Sequence, residues 1–145
     1  MKREIKFRAW EKTEKKMGVV EVLTDQGCFI LGITPGKDTY LNGGKTIVVA
    51  PTDGRFVPFQ ECELMQFTGL KDKQGKEIYE GDILDNHFKV EWNQLHNGFA
   101  LFNKKGYWYQ LMADEYNLTG ESLPPWQINA EVIGNIYENP ELLNT

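Results

Sequence analysis

Several features that define large classes of proteins are scarce or missing in this sequence. It has only two cysteines, Cys28 and Cys62, and neither lies in a CxxC motif or in a Cys/His cluster. No apolar stretch approaches the roughly 18–20 residues that a membrane span needs. The N-terminus is charged from its second residue, Lys2, so it lacks the apolar segment of a signal peptide. These absences predict a reduced, cytoplasmic protein, and nothing in the sequence predicts a cofactor or a metal.

An excess of positive charge is also missing. The chain carries 16 Lys and Arg residues against 21 Asp and Glu residues, a net charge of −5, which argues against bulk electrostatic binding of nucleic acid. The charge is unevenly distributed, because residues 1–16 have a net charge of +4, whereas residues 106–145 hold six acidic residues and no Lys or Arg. Such a basic front and acidic tail could steer a partner, pair within a dimer, or simply be solvated.

The first part of the chain has the period of a β-strand. Residues 3–10 alternate between two sets of side chains, which predicts a half-buried strand. The polar run Glu11–Lys16 predicts a turn, and Met17–Leu23 predicts the returning strand of a hairpin. The inward set would be Ile5, Phe7 and Ala9, and the outward set Lys6, Arg8 and Trp10.

The next segments alternate between strand formers and turn formers. Glycine, proline and asparagine predict a loop over Pro35–Lys45, and residues 51–58 are rich in turn formers. Cys28–Ile33 and Lys45–Ala50 are predicted as strands. Gln60–Phe67 fits either a strand or a short helix, and a strand is the favoured interpretation.

The stretch Leu64–Leu84 has the densest turn and strand signals in the sequence. A polar tip with Gly75 predicts a type I turn followed by a bulge, and Gly69 and Gly81 are predicted to adopt positive φ or to allow close approach. Asp82 is expected to accept backbone N–H bonds in its turn. Short strands then follow at even spacing, predicted at Asp82–Asn86, Phe88–Asn93, Phe99–Asn103, Tyr107–Met112 and Glu131–Tyr137.

These patterns predict a mainly β fold in two parts. Residues 1–63 would form an N-terminal β-hairpin subdomain. Residues 64–145, with five short antiparallel strands, would form a C-terminal SH3-like β-barrel, because closing the sheet removes exposed edges. The chain would end in one short helical turn, with Asn139 as its cap and Pro140 at its first position.

Three segments together resemble a known family. REIKFRAW at residues 3–10, LMQFTGLKDKQGKEIYEGDIL at residues 64–84 and EVIGNIYENPELL at residues 131–143 are similar, in the same order, to the YopX-like proteins of phages and prophages. The resemblance implies a mostly β protein whose C-terminal half is an SH3-like barrel, in the cytoplasm of a bacterial host cell. It implies no activity and no catalytic residues, because the family has no established biochemical function.

Two groups of polar residues could carry chemistry. Four carboxylates crowd the end of the central stretch, where they could bind a divalent cation or act in acid–base catalysis. Their spacing does not match a calcium loop, and structural roles in turns explain them as well. His87 and His96 have no nucleophile in a recognisable setting, so they are predicted as turn residues rather than as general bases. The carboxylates are Glu77, Glu80, Asp82 and Asp85.

Aromatic side chains are concentrated in the second half of the chain. Tyr107, Trp108 and Tyr109 cannot all point to one side of a strand, so at least one is expected on the other side. An outward aromatic patch beside a proline-bearing loop could hold a peptide, although a core role or a contact within a homo-oligomer remains an alternative. The candidate partner surface comprises Trp92, Trp108 and Trp126, together with Trp10, Lys6 and Arg8 on the first strand.

Taken with this resemblance, the sequence predicts a small protein that works by binding, with no catalysis, and the resemblance implies that it is a phage or prophage accessory protein. The expected partner is another protein of the phage or the host. A nucleic-acid-binding module using Lys6, Arg8 and Trp10 is the alternative, and a metal-dependent hydrolase using Asp82 is the less favoured one.

Overall fold

The chain is mainly β, as the sequence predicts. A computed structural model describes residues 4–34, 39–41, 46–48, 54–106, 108–112 and 120–144. Two short 3-10 helices lie at Phe59–Glu61 and Pro140–Asn144, and no helix in the described part has the length and apolarity that a membrane crossing requires. The strands are β1 Phe7–Glu11, β2 Lys16–Leu23, β3 Gly27–Leu31, β4 Thr39–Leu41, β5 Thr46–Val48, β6 Gly54–Pro58, β7 Cys62–Lys71, β8 Glu77–Tyr79, β9 Asp82–Leu84, β10 Lys89–Asn93, β11 Gly98–Phe102, β12 Trp108–Gln110 and β13 Val132–Asn135.

Contacts divide the chain into two compact units. The N-terminal unit is Lys6–Met65, and the C-terminal unit is Gln66–Thr145 together with residues 1–5. The boundary lies within β7, between Met65 and Gln66, whereas the sequence places it between residues 63 and 64. Each unit has a buried apolar cluster of its own.

The N-terminal unit is built on an antiparallel sheet with the strand order β6-β3-β2-β1-β7. The predicted hairpin of β1 and β2 is present, with Trp10 opposite Met17 and Glu11 opposite Lys16. On β1 the alternation holds, because Ala9 is fully buried and its neighbours are half-buried. The predicted inward residue Ile5 precedes the strand and is 65% exposed, so the alternation begins later than the sequence indicates.

This sheet curls until its outer strands approach each other. Only the 3-10 helix Phe59–Glu61 separates β6 from β7, although they are the two outermost strands of the unit. Cys28 on β3 pairs with Val57 on β6, and its sulfur lies 3.9 Å from that of Cys62 at the start of β7. The curl therefore brings together two thiols that are 34 residues apart in sequence.

One turn prediction in this unit is wrong. Residues 54–58 form β6, because Val57 enters the core opposite Cys28 and the sheet overrides the local turn composition. The predicted turn Glu11–Lys16 is present between β1 and β2, but its first and last residues belong to the two strands, and Glu11 is fully buried. The predicted loop Pro35–Lys45 includes β4, and residues 35–38 and 42–45 lie outside the described part. The predicted strand Lys45–Ala50 contains β5, and its other residues also lie outside.

The C-terminal unit begins with the predicted central hairpin of β7 and β8. Its turn contains Gly75 at φ +84°, and Gly69 and Gly81 also have positive φ, as predicted. Gly69 lies within a shift of register between the pairs Phe67–Tyr79 and Lys71–Glu77. Because the bulge needs a residue in the left-handed region, glycine has a specific role there.

A five-stranded antiparallel sheet, in the order β12-β11-β10-β9-β13, makes up most of this unit. Four of the strands lie inside segments predicted as strands and are shorter than them, whereas β11 begins one residue before its predicted segment and ends one residue earlier; Tyr107 at the start of one prediction is outside the described residues. Among the described residues no pairing joins β12 to β13, so closure of the sheet into an SH3-like barrel stays a prediction. The buried cluster is Ile78, Leu84, Val90, Phe99, Ile128 and Val132.

The end of the chain departs slightly from its prediction. The helical turn is present as a 3-10 helix at Pro140–Asn144. Asn139, predicted as its cap, directly precedes the helix, and its backbone carbonyl oxygen accepts the N–H of Leu142 at 3.1 Å, whereas its side chain accepts a hydrogen bond from the backbone N–H of Asn135 at 3.3 Å. It also lies where a side chain on Gly134 would be, because a Cβ there would come within 2.5 Å of the Asn139 Oδ1 atom.

Candidate functional site

The aromatic residues of the predicted surface lie on both faces of the five-stranded sheet. Trp92 on β10 is opposite Phe99, and Trp108 on β12 is opposite Phe102. Directly opposed residues share a face, and residues three apart on one strand lie on opposite faces. Trp92 and Trp108 therefore belong to different faces. Tyr109 is opposite Leu101, which puts it on the face of Trp92.

Trp108 is part of a stack of rings on its own face. The His96 ring lies parallel to the Trp108 ring at a centroid distance of 5.2 Å, and the Phe102 ring lies at 6.5 Å. His96 occupies the turn between β10 and β11, as predicted for a turn residue. Both of its ring nitrogens are buried, with no hydrogen-bond partner in the described structure. Trp108 itself remains 43% exposed, so the stack supports a tryptophan that faces solvent.

On the other face, Tyr109 is exposed, and Met112 borders a shallow groove. Tyr109 is 60% exposed and Met112 is 61% exposed, and the Tyr109 ring contacts Phe88 at a centroid distance of 5.5 Å. The groove has a volume of about 230 Å³, which suits one or two amino-acid side chains better than a larger ligand. It is lined mainly by Leu84, Leu101, Leu111, Met112 and Ile128.

Among the described strands, β12 is the last in its sheet, and its backbone groups point in two directions. The backbone N–H of Leu111 donates to the carbonyl oxygen of Phe99 at 3.0 Å, so this N–H points toward β11. Amide groups alternate along a strand. The backbone N–H of Tyr109 therefore also points toward β11, whereas the N–H groups of Trp108 and Gln110 point away from β11. All three residues of β12 have exposed side chains.

Trp126 lies in a segment that runs beside the end of β7. The N–H of Lys71 donates to the Trp126 carbonyl oxygen at 2.8 Å, and the N–H of Ile128 donates to the Lys71 carbonyl oxygen at 2.9 Å. The Lys71 ammonium group lies 5.4 Å from the centre of the Trp126 ring, within reach of a cation–π interaction. The indole is 39% exposed, so it is partly covered by its own chain.

The basic first strand belongs to the N-terminal unit, whereas these aromatics belong to the C-terminal unit. Lys6, Arg8 and Trp10 are all half-buried. Arg8 is opposite Val19, an apolar residue that is 57% exposed. The outward face of β1 therefore combines cations with apolar surface rather than presenting a dense basic patch.

The carboxylates of the central stretch have separate structural partners. Asp82 accepts the N–H of Tyr79 at 2.8 Å, the predicted turn role, and Glu80 accepts the N–H of Gln66 at 2.9 Å. Asp85 forms an ion pair with Lys73 at 3.6 Å. Glu77 is half-buried on β8. Among the residues with described positions, no three histidine, cysteine or acidic side chains come together as a metal site requires.

A fifth carboxylate, Asp72, was missed as a key residue. It is 1% exposed, and its two oxygens accept backbone N–H groups from Gln74 at 2.9 Å, Lys76 at 2.8 Å and Val132 at 3.0 Å. The first two close the central turn, and the third ties that turn to β13. An Asp three residues before Gly75 is a recognisable turn signal, but the bond to Val132, 60 residues away, has no local signal.

The N-terminal unit contains a buried carboxylate of another kind. Glu11 is fully buried, accepts the N–H groups of Thr13 and Glu14, and pairs with the Arg55 guanidinium at 3.3 Å. Arg55 also pairs with Glu14 at 2.5 Å. Hydrogen bonds from Thr34, assisted by Arg55, lower the pKa of Glu14 from 4.5 to about 2. This cluster joins the first hairpin to β6.

Comparisons with known proteins agree with this architecture. The family model described as YopX protein matches residues 6–144. A solved structure, the crystal structure of protein EF1440 from Enterococcus faecalis, is 27% identical, with 98% of this chain and 99% of that chain covered and a TM-score of 0.55. Among curated proteins there is no match.

Proposed function

This chain belongs to the YopX family, and from that premise we propose that it is a binding module that pairs an extended segment of another protein with the edge strand β12. The observation that carries the proposal is the composition of this edge. Every side chain of β12 is exposed, and two of the three are aromatic. An exposed apolar edge is a template for pairing with another strand.

The surroundings of β12 supply contacts on both faces of an added strand. Trp108, backed by His96 and Phe102, would contact the strand on one face, and Tyr109 would contact it on the other. The groove beside Met112 has room for an apolar side chain of the partner. The outward N–H groups of Trp108 and Gln110 would form the backbone hydrogen bonds, which hold a strand irrespective of its sequence.

The charge of the chain favours a partner segment with basic residues, because residues 106–145 contain six acidic residues and no Lys or Arg. We place this activity in the cytoplasm of a bacterial host and regard the protein as a phage or prophage accessory factor. The partner is then a phage or host protein, and no catalysis is involved.

The experiment is affinity capture from lysogenic host cells with matched variants of one residue. Gln110→Pro removes an N–H that points away from β11, so pairing within the sheet is retained while an added strand loses a hydrogen bond and meets the proline ring. Gln110→Ala keeps the N–H and changes only the side chain. We expect a specific partner with the wild type and with Gln110→Ala, and at least about tenfold less with Gln110→Pro, equivalent to about 1.4 kcal/mol.

Thermal unfolding of each variant provides the control for folding, since an edge substitution should change the melting temperature by only a few degrees. Trp108→Ala and Tyr109→Ala then test the two faces separately, and each should weaken capture. Equal recovery by Gln110→Pro and the wild type would exclude strand pairing. Capture of background proteins alone, under several growth conditions, would leave the binding function itself without support.

A further inference from the structure

Two thiols inside the N-terminal unit form a pair that sequence spacing does not reveal. The Cys28 and Cys62 sulfur atoms are 3.9 Å apart. Cys28 is fully buried, and Cys62 is 4% exposed. Around them lie Ala9, Ile30, Ile33 and Val57, so the pair is enclosed in the apolar cluster of the unit.

We propose that Cys28 and Cys62 are a site of oxidative modification, a dithiol that a small-molecule disulfide such as oxidised glutathione converts to an intramolecular disulfide. A disulfide requires the sulfur atoms to approach to about 2.05 Å. A shift of about 2 Å is within the range of side-chain rotation, because each sulfur is carried on a single rotatable bond from the backbone. Formation of this disulfide does not depend on partner binding at β12.

The reaction is a pair of exchange steps. The Cys62 thiol, the more exposed of the two, loses its proton, and its thiolate attacks one sulfur of oxidised glutathione, which releases one glutathione thiolate. The Cys28 thiolate then attacks the Cys62 sulfur of the mixed disulfide and releases the second glutathione. Two thiols give up two protons and two electrons, and one disulfide is reduced to two thiols.

The surroundings make these thiols slow to react in the folded protein. Burial, with the neighbouring Cys62 adding to it, raises the pKa of Cys28 from 9.0 to about 12, and burial also raises the pKa of Cys62. Thiolate is the reactive form, so little of it is present near neutral pH. The Cys62 thiol also donates to the Pro58 carbonyl oxygen at 3.6 Å. Oxidation should therefore occur mainly while the unit is folding or locally open.

The test is refolding of the full-length wild type in excess oxidised glutathione, with a parallel incubation of the native protein. Free thiols are then blocked by alkylation, and the intact mass is measured without reduction. We expect the refolded product to have lost two hydrogen masses, to take up no alkylating reagent and to give one peptide pair linked through Cys28 and Cys62. The native sample should reach the same product at least tenfold more slowly.

Two single variants serve as matched controls, because Cys28→Ala and Cys62→Ala each leave one thiol with no partner. Neither should lose two hydrogen masses. The oxidised wild type should also melt several degrees higher than the reduced wild type, since a crosslink over 34 residues restricts the unfolded chain. A refolded wild type that keeps two alkylatable thiols would overturn the proposal. A product that carries glutathione on both cysteines, or only crosslinks between molecules, would do the same.

Discussion

The two units stabilise a buried carboxylate in different ways. In the N-terminal unit, Glu11 has a cation, Arg55, in addition to two backbone N–H groups. In the C-terminal unit, Asp72 is held by three backbone N–H groups, one of them on β13. The attraction between two charges falls off slowly with distance, whereas hydrogen bonds from amides to a carboxylate require the backbone around it to be in place.

This difference predicts how strongly each unit is destabilised when a partner of its buried carboxylate, or the carboxylate itself, is removed. Arg55 is 24% exposed, so water can partly replace it when it is removed. The bond from Val132 to Asp72 is buried, so water cannot replace the acceptor. We therefore expect the C-terminal unit to depend more strongly on its single carboxylate than the N-terminal unit depends on its cation.

Asp72→Ala should have the largest effect. It leaves three backbone N–H groups without an acceptor, and we expect a loss of about 3–5 kcal/mol in the free energy of unfolding. Urea denaturation measures the loss, and amide hydrogen exchange should show it in the C-terminal unit. Asp85→Ala, which removes only an exposed ion pair with Lys73, should change stability by less than about 1 kcal/mol. Similar losses in both variants would contradict the assigned role.

Arg55→Met should have a smaller effect, located in the other unit. It removes the cation beside Glu11 and the hydrogen bond to the Thr34 carbonyl oxygen at 3.0 Å, and we expect a loss of about 2–3 kcal/mol. Denaturation and hydrogen exchange in β1 and β6 measure it. Lys12→Met is the matched control, because Lys12 and Glu63 form an exposed pair at 3.2 Å that contributes less than about 1 kcal/mol. If Arg55→Met proved more damaging than Asp72→Ala, the comparison between the units would be reversed.

The cluster of Glu11, Glu14 and Arg55 should also make the stability of the N-terminal unit depend on pH in acid. The pKa of Glu14 is about 2 in the folded protein against an ordinary value of 4.5. A lowered pKa means that its stabilisation is present above pH 4.5 and is lost as the pH falls through 2. In Glu14→Gln, the urea midpoint should fall less steeply over this range than in the wild type. Glu61→Gln, at an exposed carboxylate, should follow the wild type. Identical profiles for Glu14→Gln and the wild type would refute this assignment.

The smallest expected effects come from the two hairpin turns. Each has one residue in the left-handed region, which is Lys15 at φ +56° in the first hairpin and Gly75 at φ +84° in the central one. Gly75→Lys should cost about 1 kcal/mol, and Lys15→Gly should be neutral or stabilising by about 0.5 kcal/mol, because glycine avoids the steric penalty but adds freedom to the unfolded chain. Urea denaturation of both variants measures the contrast. A destabilising Lys15→Gly would show that the Lys15 side chain has a role of its own.

Much of the fold was predictable because its signals are local. The alternation around Ala9 predicts a strand, and Gly69, Gly75 and Gly81 predict the places where the backbone adopts positive φ. The strand β6 was not predictable, because its residues favour turns and only the neighbouring β3 gives them a partner. The sequence-based division into two parts likewise came from turn signals, which mark the central hairpin more clearly than a boundary inside β7.

The candidate site was predictable only as a set of residue types. The sequence indicates that at least one of Tyr107, Trp108 and Tyr109 lies on the other side of a strand, and the strand pairing puts Trp108 and Tyr109 on opposite faces. It does not indicate that Trp92 lies on the face of Tyr109, because that depends on the pairing of β10, β11 and β12. The position of β12 at the edge of its sheet, which turns these aromatics into a candidate binding edge, is also a property of strand order alone.

The sequence by itself determined that this is a mainly β chain with glycine turns, a recognisable central stretch and an excess of acidic residues. Those properties follow from periodicity, from backbone freedom at glycine and from composition, each of which acts over a few residues. Only the tertiary structure decided that Cys28 meets Cys62, that Arg55 meets Glu11 and that Asp72 meets Val132. These contacts join residues 34 to 60 positions apart, and they exist because strand order and sheet curvature bring distant residues together.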